Sequence, residues 1–424
     1  MLRQDLSNDR SSAKPMNSTR RTSDSDGPKS RPAATVLLVD QFCCVPYYNS
    51  YLAAALSRIG IDVRLASVNY HYDPDYFPQS GVHRDPGLTE MVSGWRIPWA
   101  FVRRPLRVLE LMANTLSLAL KIWRSRPDIL HVQYLALAER GYGVELWLLR
   151  WARRLGIPIV YTVHNVLPQD TGDRLRPLYQ RVYRLADILV CHTDAARAQL
   201  LAEFGVPPDR AVVIPHGPLF HDMDRPTPAQ ARQRLGLGST VMFLCHGGIK
   251  PYKGIEFLLE AWRLVVAERS DVTLVVAGPG EEHYLDSIRR LVTELGLEDS
   301  VRLDFRFAPA DELPVFFQAA DALLYPYKEI TASGALMTGL TFAKPVIASR
   351  LPAFEEILGD SGAAVMVPYG DTAALAGAIV ELADRPDERV RLAQAAGRII
   401  AGDDENSWDS VAIRTRECYD AVRP

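Results

Sequence analysis

The sequence is poor in cysteine, in net positive charge and in long apolar runs, and each shortage excludes a class of protein. Its five cysteines are odd in number and scattered, without C-x-x-C spacing, which argues against a disulfide framework or a zinc site and fits a reducing compartment. A net charge of −3 offers no basic excess for nucleic acid, and no run of about 18 apolar residues predicts a transmembrane helix. We therefore expect a cytoplasmic protein, soluble or peripheral on the inner face of the plasma membrane.

Residues 1–33 are rich in Ser, Asp, Arg and Pro and contain no apolar run. Such a segment buries too little surface to offset the entropy of ordering, so we predict disorder, and it lacks the apolar core of a signal peptide. The chain has 424 residues, 48% of them hydrophobic, which is enough for two cores of ordinary size. Two domains are therefore expected after residue 33.

Short apolar runs alternate with helical patterns after residue 33, which predicts a doubly wound parallel sheet. In the first half these runs are 34–40, 61–66, 128–134, 157–165, 188–192 and 211–217. The loop after the first run lacks G-x-G-x-x-G, so a dinucleotide fingerprint is not supported. We predict Rossmann-like domains at 34–218 and 241–403, a linker with a short helix at 219–240, and a helix at 404–424 that crosses back to the first domain.

A glycine-rich turn with two lysines, GGIKPYKG, follows the strand that begins at Val241. The periodic helix IEFLLEAWRLVVAE comes directly after it. Glycines let a backbone approach an anion, Lys250 and Lys253 supply positive charge, and the helix dipole adds to it. The turn therefore predicts an anion cradle, with two solvated lysines as the alternative.

A lone carboxylate, Glu329, lies between an apolar strand at 322–326 and a helix of small residues that begins near Ser333 and Gly334. Loops at the carboxyl ends of parallel strands are where open α/β sheets bind ligands. Because these ends share one edge of a sheet, Glu329 and the lysine turn should lie together. A solvated surface carboxylate is the alternative.

The order and spacing of these motifs resemble the GT-B glycosyltransferases of glycosyltransferase family 4. The matching motifs are VHN, IPHG, GGIKPYKG, LVVAGPG, AADALLYPYKE and KPVIAS. The resemblance extends over roughly residues 34–420. It implies two Rossmann-like domains that face a cleft, with a nucleotide-sugar donor bound mainly to the second domain as a co-substrate and no other cofactor.

The resemblance implies roles for individual residues. Lys253 would contact the donor diphosphate, Glu329 would lie beside the donor sugar, and His164 would reach that sugar from the first domain. Other predicted contacts to the donor or to the interdomain edge are Gly248, Lys250, Ser333, Gly334, His216, Gly217 and Gly278. The predicted acceptor side comprises Asp40, Tyr47, Tyr48 and Asn49, with Cys43 and Cys44 in the same loop.

Two departures from the family pattern and one absence bear on the mechanism. Gly248 stands where the family has an arginine, whose charge Lys250 would replace. The second glutamate of the E-x7-E motif falls at Met337 or Thr338, so ribose is bound otherwise, or the chain belongs to a divergent branch resembling exopolysaccharide β-mannosyltransferase-like enzymes. No DxD-type aspartate pair lies in a suitable loop, which favours chemistry without a metal.

The expected function is transfer of a sugar from a UDP- or GDP-linked donor to a glycan or lipid-linked acceptor, in polysaccharide biosynthesis. Family members are generally retaining, but an inverting outcome stays open, with His164 or Asp40 as the base. Two other functions stay open as well. One is a catalytically silent nucleotide-sugar-binding or scaffold protein of the same fold, and the other is a sugar-nucleotide epimerase.

Two segments, 95–126 and 147–154, mix tryptophan, leucine and arginine. Such a composition suits a helix that lies beside anionic lipid headgroups. The alternative is an ordinary packed helix whose arginines extend to solvent. An anionic membrane surface is therefore an expected partner.

Overall fold

The computed structural model describes residues 34–73, 76, 82–94, 99–401 and 404–423. The segment 1–33, for which the sequence predicts disorder, lies outside the described residues. So do residues 95–98 of the tryptophan- and arginine-rich segment and the predicted boundary at residue 403. Among the described residues, no helix combines the length and apolarity needed to cross a bilayer.

The first half of the chain forms a seven-stranded parallel sheet with the order β3-β2-β1-β4-β5-β6-β7. Its strands are β1 Thr35–Asp40, β2 Asp62–Ser67, β3 Arg84–Gly87, β4 Ile129–Tyr134, β5 Ile159–Val163, β6 Ile188–Cys191 and β7 Ala211–Val213. The central strands are almost fully buried, as expected for a parallel sheet with helices on both faces. The strand order reverses between β1 and β4, which opens a crevice at their carboxyl ends.

Seven helices of four or more residues accompany this sheet within the described residues. They are α1 Pro46–Arg58, α2 Met91–Gly94, α3 Ala100–Ser125, α4 Ala136–Glu139, α5 Val144–Arg154, α6 Arg176–Leu185 and α7 Asp194–Phe204.

The second half forms a six-stranded parallel sheet with the order β10-β9-β8-β11-β12-β13. Its strands are β8 Val241–His246, β9 Val272–Ala277, β10 Val301–Asp304, β11 Ala322–Tyr325, β12 Val346–Ser349 and β13 Ala364–Val367. Its helices are α8 Pro228–Arg234, α9 Ile255–Glu268, α10 Glu282–Glu294, α11 Leu313–Ala319, α12 Gly334–Thr341, α13 Pro352–Leu358, α14 Thr372–Asp384 and α15 Pro386–Ala401. The predicted architecture of two doubly wound parallel sheets is confirmed.

The apolar pattern predicted the central strands and missed three edge strands, β3, β10 and β13. Each is four residues long and mostly half-buried or exposed. An edge strand has one neighbour and is covered less than a central one. β3 and β10 accordingly contain polar residues, whereas β13 has the apolar run AVMV, which was overlooked. β3, with the sequence RDPG, even contains a proline, which an edge strand tolerates.

The last helix, α16 Trp408–Val422, packs against α1 of the first half. The Tyr419 hydroxyl lies 2.7 Å from Nδ1 of His131 on β4, and Asp409 forms an ion pair with Arg58 at 2.7 Å. The Trp408 indole Nε1 donates to the carbonyl oxygen of Pro218 at 2.7 Å. The end of the chain therefore contributes buried side chains to the first domain.

Gly217 makes room for Trp408. A Cβ atom at position 217 would lie 2.5 Å from Cε2 of the indole, which is buried and held by its hydrogen bond. Gly217→Ala should therefore overpack this contact and lower the free energy of unfolding by about 1–3 kcal/mol, measured by urea unfolding.

Gly238→Ala is the matched control, because a Cβ atom there would meet no heavy atom within 4 Å. Equal stability of the two variants would contradict the steric role of Gly217.

Candidate active site

The loops after β5 and β6 of the first sheet touch the loop after β11 of the second. The Thr331 hydroxyl donates to the carbonyl oxygen of His164 at 3.3 Å, and the Thr193 hydroxyl donates to the carbonyl oxygen of Thr331 at 3.2 Å. The backbone N–H of Asp170 donates to Oε1 of Glu329 at 3.1 Å. The carboxyl edges of both sheets therefore meet, which is where the sequence predicted the functional residues.

Lys253 is the buried cation of this region, with 4% of its surface exposed. Its Nζ donates to the carbonyl oxygen of His246 at 3.2 Å and lies 5.1 Å from the centre of the Tyr327 ring. Within the described ranges, no carboxylate oxygen lies within 4.0 Å of this ammonium group. A buried charge without an ionic partner is costly, and an anion placed beside it would offset that cost.

Glycines bring the backbone close to this ammonium group. Gly247 has φ +110°, and a Cβ atom there would lie 2.5 Å from Nζ of Lys253. Gly278 has φ +136°, and its Cβ would lie 2.4 Å from the carbonyl oxygen of Gly247. Both positions need glycine for their backbone conformation and for space. The turns after β8 and β9 thus pack together beside the lysine.

The amino end of α12 lies beside the Lys253 turn. The Ser333 hydroxyl accepts a hydrogen bond from the backbone N–H of Leu336 at 3.1 Å, so this side chain caps the helix. The Cβ of Ala335 lies 3.5 Å from where a Cβ at Gly247 would be, and Nε2 of His216 lies 3.8 Å from the corresponding point at Gly334. The first turn of α12, the Lys253 turn and His216 therefore surround one place.

The two predicted lysines differ in their surroundings. Lys250 is exposed, whereas Lys253 is buried, although both belong to the same short turn. Lys250 lies on the side of Asp170. Burial raises the pKa of Asp170, and the positive charge of Lys250 opposes that rise. Gly248 is exposed as well. Lys253 is therefore the enclosed cation of this turn, whereas Lys250 and Gly248 lie at the surface.

Glu329 is exposed and is held from the other domain by the N–H of Asp170. The Asp170 carboxylate accepts from the backbone N–H of Tyr252, and Lys328 donates its own N–H to the carbonyl oxygen of Tyr252 at 2.8 Å. The loop of Asp170 thus joins the lysine turn to Glu329. Asp170 was not among the predicted site residues. The one sequence feature that points to it is its position after the strand that ends in VHN.

Three histidine rings surround the buried phenol of Tyr48. Their centroids lie 5.0 Å (His164), 5.2 Å (His192) and 5.0 Å (His216) from that of Tyr48. Burial lowers the pKa of His164 well below its usual value, that of His192 to about 3 and that of His216 to about 4. All three imidazoles are therefore neutral near pH 7 and serve as hydrogen-bonding groups.

Hydrogen bonds fix the orientation of these rings. His164 Nε2 lies 3.3 Å from Oε1 of Gln133, and Nδ1 of His216 lies 2.7 Å from the carbonyl oxygen of Gly217. Nδ1 of His192 lies 3.0 Å from the carbonyl oxygen of Ile214, while its buried Nε2 has no partner among the described residues. His192 was not among the predicted site residues, and only the fold reveals its contact with His164.

Asp40 organises the first loop. Its carboxylate accepts from the N–H groups of Cys44 and Val45 at 2.9 Å and from Nδ2 of Asn49 at 2.8 Å. Burial raises its pKa, and these hydrogen bonds oppose that shift. The loop is thereby fixed in front of α1. Tyr47 lies not in this loop, as predicted, but in the first turn of α1, and its ring packs edge-on against that of Phe220 with centroids 4.7 Å apart.

The positions of the missing second glutamate lie inside α12. Met337 is buried, and the buried Thr338 hydroxyl donates to the carbonyl oxygen of Gly334 at 2.8 Å. Neither side chain offers a carboxylate, as the sequence indicates.

A second contact between the domains involves Glu356 on α13. Its carboxylate accepts from the backbone N–H groups of Asp194 at 2.7 Å and Ala195 at 3.0 Å, in the first turn of α7. A negative charge at a helix amino end is stabilising because the N–H groups there have no partner within the helix. Glu356 therefore holds the edge of the second domain against the first.

Comparisons with known proteins agree with this fold. Residues 45–217 match the family model Glycosyltransferase Family 4, and residues 240–385 match the model Glycosyl transferases group 1. The D-inositol 3-phosphate glycosyltransferase of Thermobispora bispora is 28% identical over 313 residues, covering 69% of this chain and 70% of the relative. That of Kineococcus radiotolerans is 27% identical over 405 residues, covering 87% and 88%.

Among solved structures, Anabaena Alr3699/HepE in complex with UDP and glucose superposes with a TM-score of 0.72. Its sequence identity is 14%, with 92% of this chain and 100% of that chain covered. Two facing Rossmann-like domains with the site between their carboxyl edges define the GT-B class of enzyme. The chain belongs to the GT-B glycosyltransferases, with a first domain of family 4 and a second domain of group 1.

Replacing Glu356 by glutamine should loosen the contact with α7, because the charge at the helix end is lost. A loss of about 1 kcal/mol corresponds to roughly fivefold faster hydrogen exchange of the amides of Asp194 and Ala195. Exchange would be followed by mass spectrometry on the intact chain.

Glu355→Gln is the control on the same helix, since Glu355 pairs with Arg350 of its own domain. If both variants exchange at the wild-type rate, Glu356 does not hold the domains together.

Proposed function

We propose that this glycosyltransferase moves a sugar from a UDP- or GDP-linked donor to a glycan or lipid-linked saccharide, as a step of polysaccharide biosynthesis. The observation that carries the donor is the buried ammonium group of Lys253, which faces the first turn of α12 without an ionic partner among the described residues. A diphosphate would supply the negative charge that is missing beside Lys253. The UDP named in the Anabaena complex supports a nucleotide-sugar donor.

In the proposed reaction, the bond between the sugar C1 and the diphosphate oxygen breaks, and a bond from C1 to an acceptor oxygen forms. The electron pair of the broken bond stays on the diphosphate. Lys253 and the first-turn N–H groups of α12 would stabilise this charge as it develops, so the leaving group needs no metal ion. The acceptor proton passes to the departing phosphate or to a neighbouring base.

Glu329 and His164 are the proposed sugar-binding pair. Glu329 belongs to the second domain and is held by the first, while the loop of His164 touches Thr331. A sugar beside the diphosphate would therefore lie between them. The exposed carboxylate of Glu329 can accept from sugar hydroxyls and stabilise positive charge at C1, and the neutral His164 can share a hydrogen bond with the sugar. We propose a retaining outcome.

The acceptor is proposed to bind to the first domain, where Tyr47, Tyr48 and Asn49 lie at the start of α1, directly after the loop of Asp40. The curated relatives are named for D-inositol 3-phosphate, so this compound belongs in the acceptor assay beside glycans and lipid-linked saccharides. We place the enzyme in the cytoplasm, at the inner face of the plasma membrane.

The cradle predicts that Lys253→Met weakens nucleotide binding. Methionine keeps the apolar stem and removes the charge, so the Kd for UDP or GDP, whichever the wild type binds, should rise by about 10–100-fold. Isothermal titration calorimetry would measure it.

Lys250→Met is the matched control from the same turn. Because Lys250 is exposed, the Kd of the Lys250→Met variant for the same nucleotide should change by less than about fivefold. A larger rise in Kd for Lys250→Met than for Lys253→Met would indicate that the diphosphate binds at the exposed lysine and not at the buried one.

Glu329→Gln should lower kcat for sugar transfer by about 100-fold or more, because the carboxylate charge acts at the reacting carbon. The Kd for the nucleotide should stay within about threefold of the wild type. Release of labelled nucleotide with and without acceptor would measure this, and Glu355→Gln is the control.

Unchanged turnover in Glu329→Gln would remove Glu329 from the mechanism. Nucleotide binding by the wild type without transfer or hydrolysis would favour a silent binding protein, which the missing second carboxylate suggests. Conversion of the donor to an epimer without acceptor would favour the epimerase.

A further inference from the structure

Helix α3 carries an apolar stripe that faces solvent. On a helix with 3.6 residues per turn these side chains fall within about one third of the circumference. Their exposed fractions range from 43% at Leu120 to 76% at Phe101. The stripe consists of Phe101, Val108, Leu109, Met112, Leu116, Leu120 and Trp123.

The neighbouring helix α5 extends this surface. The Trp151 indole donates to the carbonyl oxygen of Ala119 on α3 at 3.4 Å, and Trp147 stacks on Trp151 with ring centroids 6.2 Å apart. Val144 and Trp147 are themselves exposed. We call the stripe together with Val144 and Trp147 the α3–α5 surface.

Packing of α3 onto the domain does not use the stripe. Leu118 and Ile122 enter the core beneath the first sheet, and Asn114 exchanges hydrogen bonds with the backbone of Thr89 at 3.0 and 2.8 Å. An exposed apolar area of this extent marks an interaction site rather than a folding requirement.

The amino half of α3 projects past the sheet. The carboxyl end of α3 leads within a few residues into β4, so it lies at the amino edge of the sheet and the helix runs back toward the carboxyl edge. The 26-residue helix has no buried side chain before Asn114 among its described residues. The amino half of α3 therefore extends toward the edge of the sheet at which the candidate active site lies.

The charge around the surface is positive. Residues 99–154 contain ten lysines and arginines against four acidic residues, in a chain of net charge −3. Arg104 and Arg124 are exposed on opposite flanks of the stripe. Among the acidic side chains, Glu145 is buried, and Glu110 lies on the side of α3 away from the stripe, where it accepts from the N–H of Met91, the first residue of α2. Basic residues therefore outnumber acidic ones beside the stripe.

We propose that the α3–α5 surface binds an anionic lipid membrane. Tryptophan and phenylalanine with aliphatic side chains suit the boundary between headgroups and acyl chains, and flanking arginines suit anionic headgroups. A second copy of this chain fits less well, because a two-fold contact would bring like-charged arginines of both copies together. With the active-site edge beside the bilayer, the acceptor class is a lipid-linked saccharide, a choice that rests on the proposed function.

Sedimentation of the full chain with vesicles tests the surface without donor or acceptor, so an inactive enzyme would still bind. The wild type should bind vesicles of phosphatidylcholine with phosphatidylglycerol, bind pure phosphatidylcholine at least about tenfold more weakly, and be released as salt is raised. A triple stripe variant should lose about tenfold or more in partitioning. The stripe variant is Phe101→Ser, Met112→Ser and Leu116→Ser.

The matched control removes three exposed apolar side chains elsewhere, with exposed fractions of 36–56%, and should bind like the wild type. It is Leu264→Ser, Val390→Ser and Ile413→Ser. The nucleotide Kd of both variants reports whether the second domain is intact, and their circular dichroism spectra report the fold.

Three results would overturn the proposal. They are no binding of the wild type to anionic vesicles, equal loss in both variants, or a lipid-free dimer that the stripe variant alone abolishes in sedimentation velocity. The last would assign the surface to a second copy. Transfer to a water-soluble acceptor with wild-type membrane binding would leave the surface standing and overturn only the lipid-linked acceptor.

Discussion

A buried ammonium group without a carboxylate partner among the described residues is the constraint around which the second domain is arranged. Lys253 is held by a carbonyl oxygen and an aromatic ring, and neither cancels its charge. The close turns at Gly247 and Gly278 and the first turn of α12 bring the backbone close to this ammonium group. Its uncompensated charge is the reason that we propose a diphosphate as its partner.

The remaining parts of the site come from loops that meet only across the two domains. Glu329 is oriented by the backbone of Asp170, and Glu356 caps α7 of the other domain. Each contact joins a charged side chain to backbone N–H groups, so its strength depends on the domains being close together. The two sheets are therefore held together at their carboxyl edges by hydrogen bonds from backbone N–H groups to carboxylates.

The first domain combines two surfaces of opposite character. Its carboxyl edge carries neutral histidines packed around Tyr48, where burial keeps the imidazoles uncharged. Its outer face carries arginines and exposed aromatic side chains on α3 and α5. The amino half of α3 extends toward that same edge. If the α3–α5 surface binds a membrane, as we propose, an acceptor held there would reach the cleft without leaving the lipid surface.

The sequence by itself determined the central strands, the helices Ile255–Glu268 and Trp408–Val422, and the turn that contains Lys253, because apolar periodicity and glycine-rich turns are properties of neighbouring residues. It did not determine the edge strands β3 and β10, which carry no continuous apolar run, and the apolar run of β13 was overlooked. Only the tertiary structure decided which lysine of the turn is buried, that three histidines from separate strand ends meet at Tyr48, and that Asp170 touches Glu329. Those contacts join residues far apart in the chain, and they depend on how two separately folded sheets pack against each other.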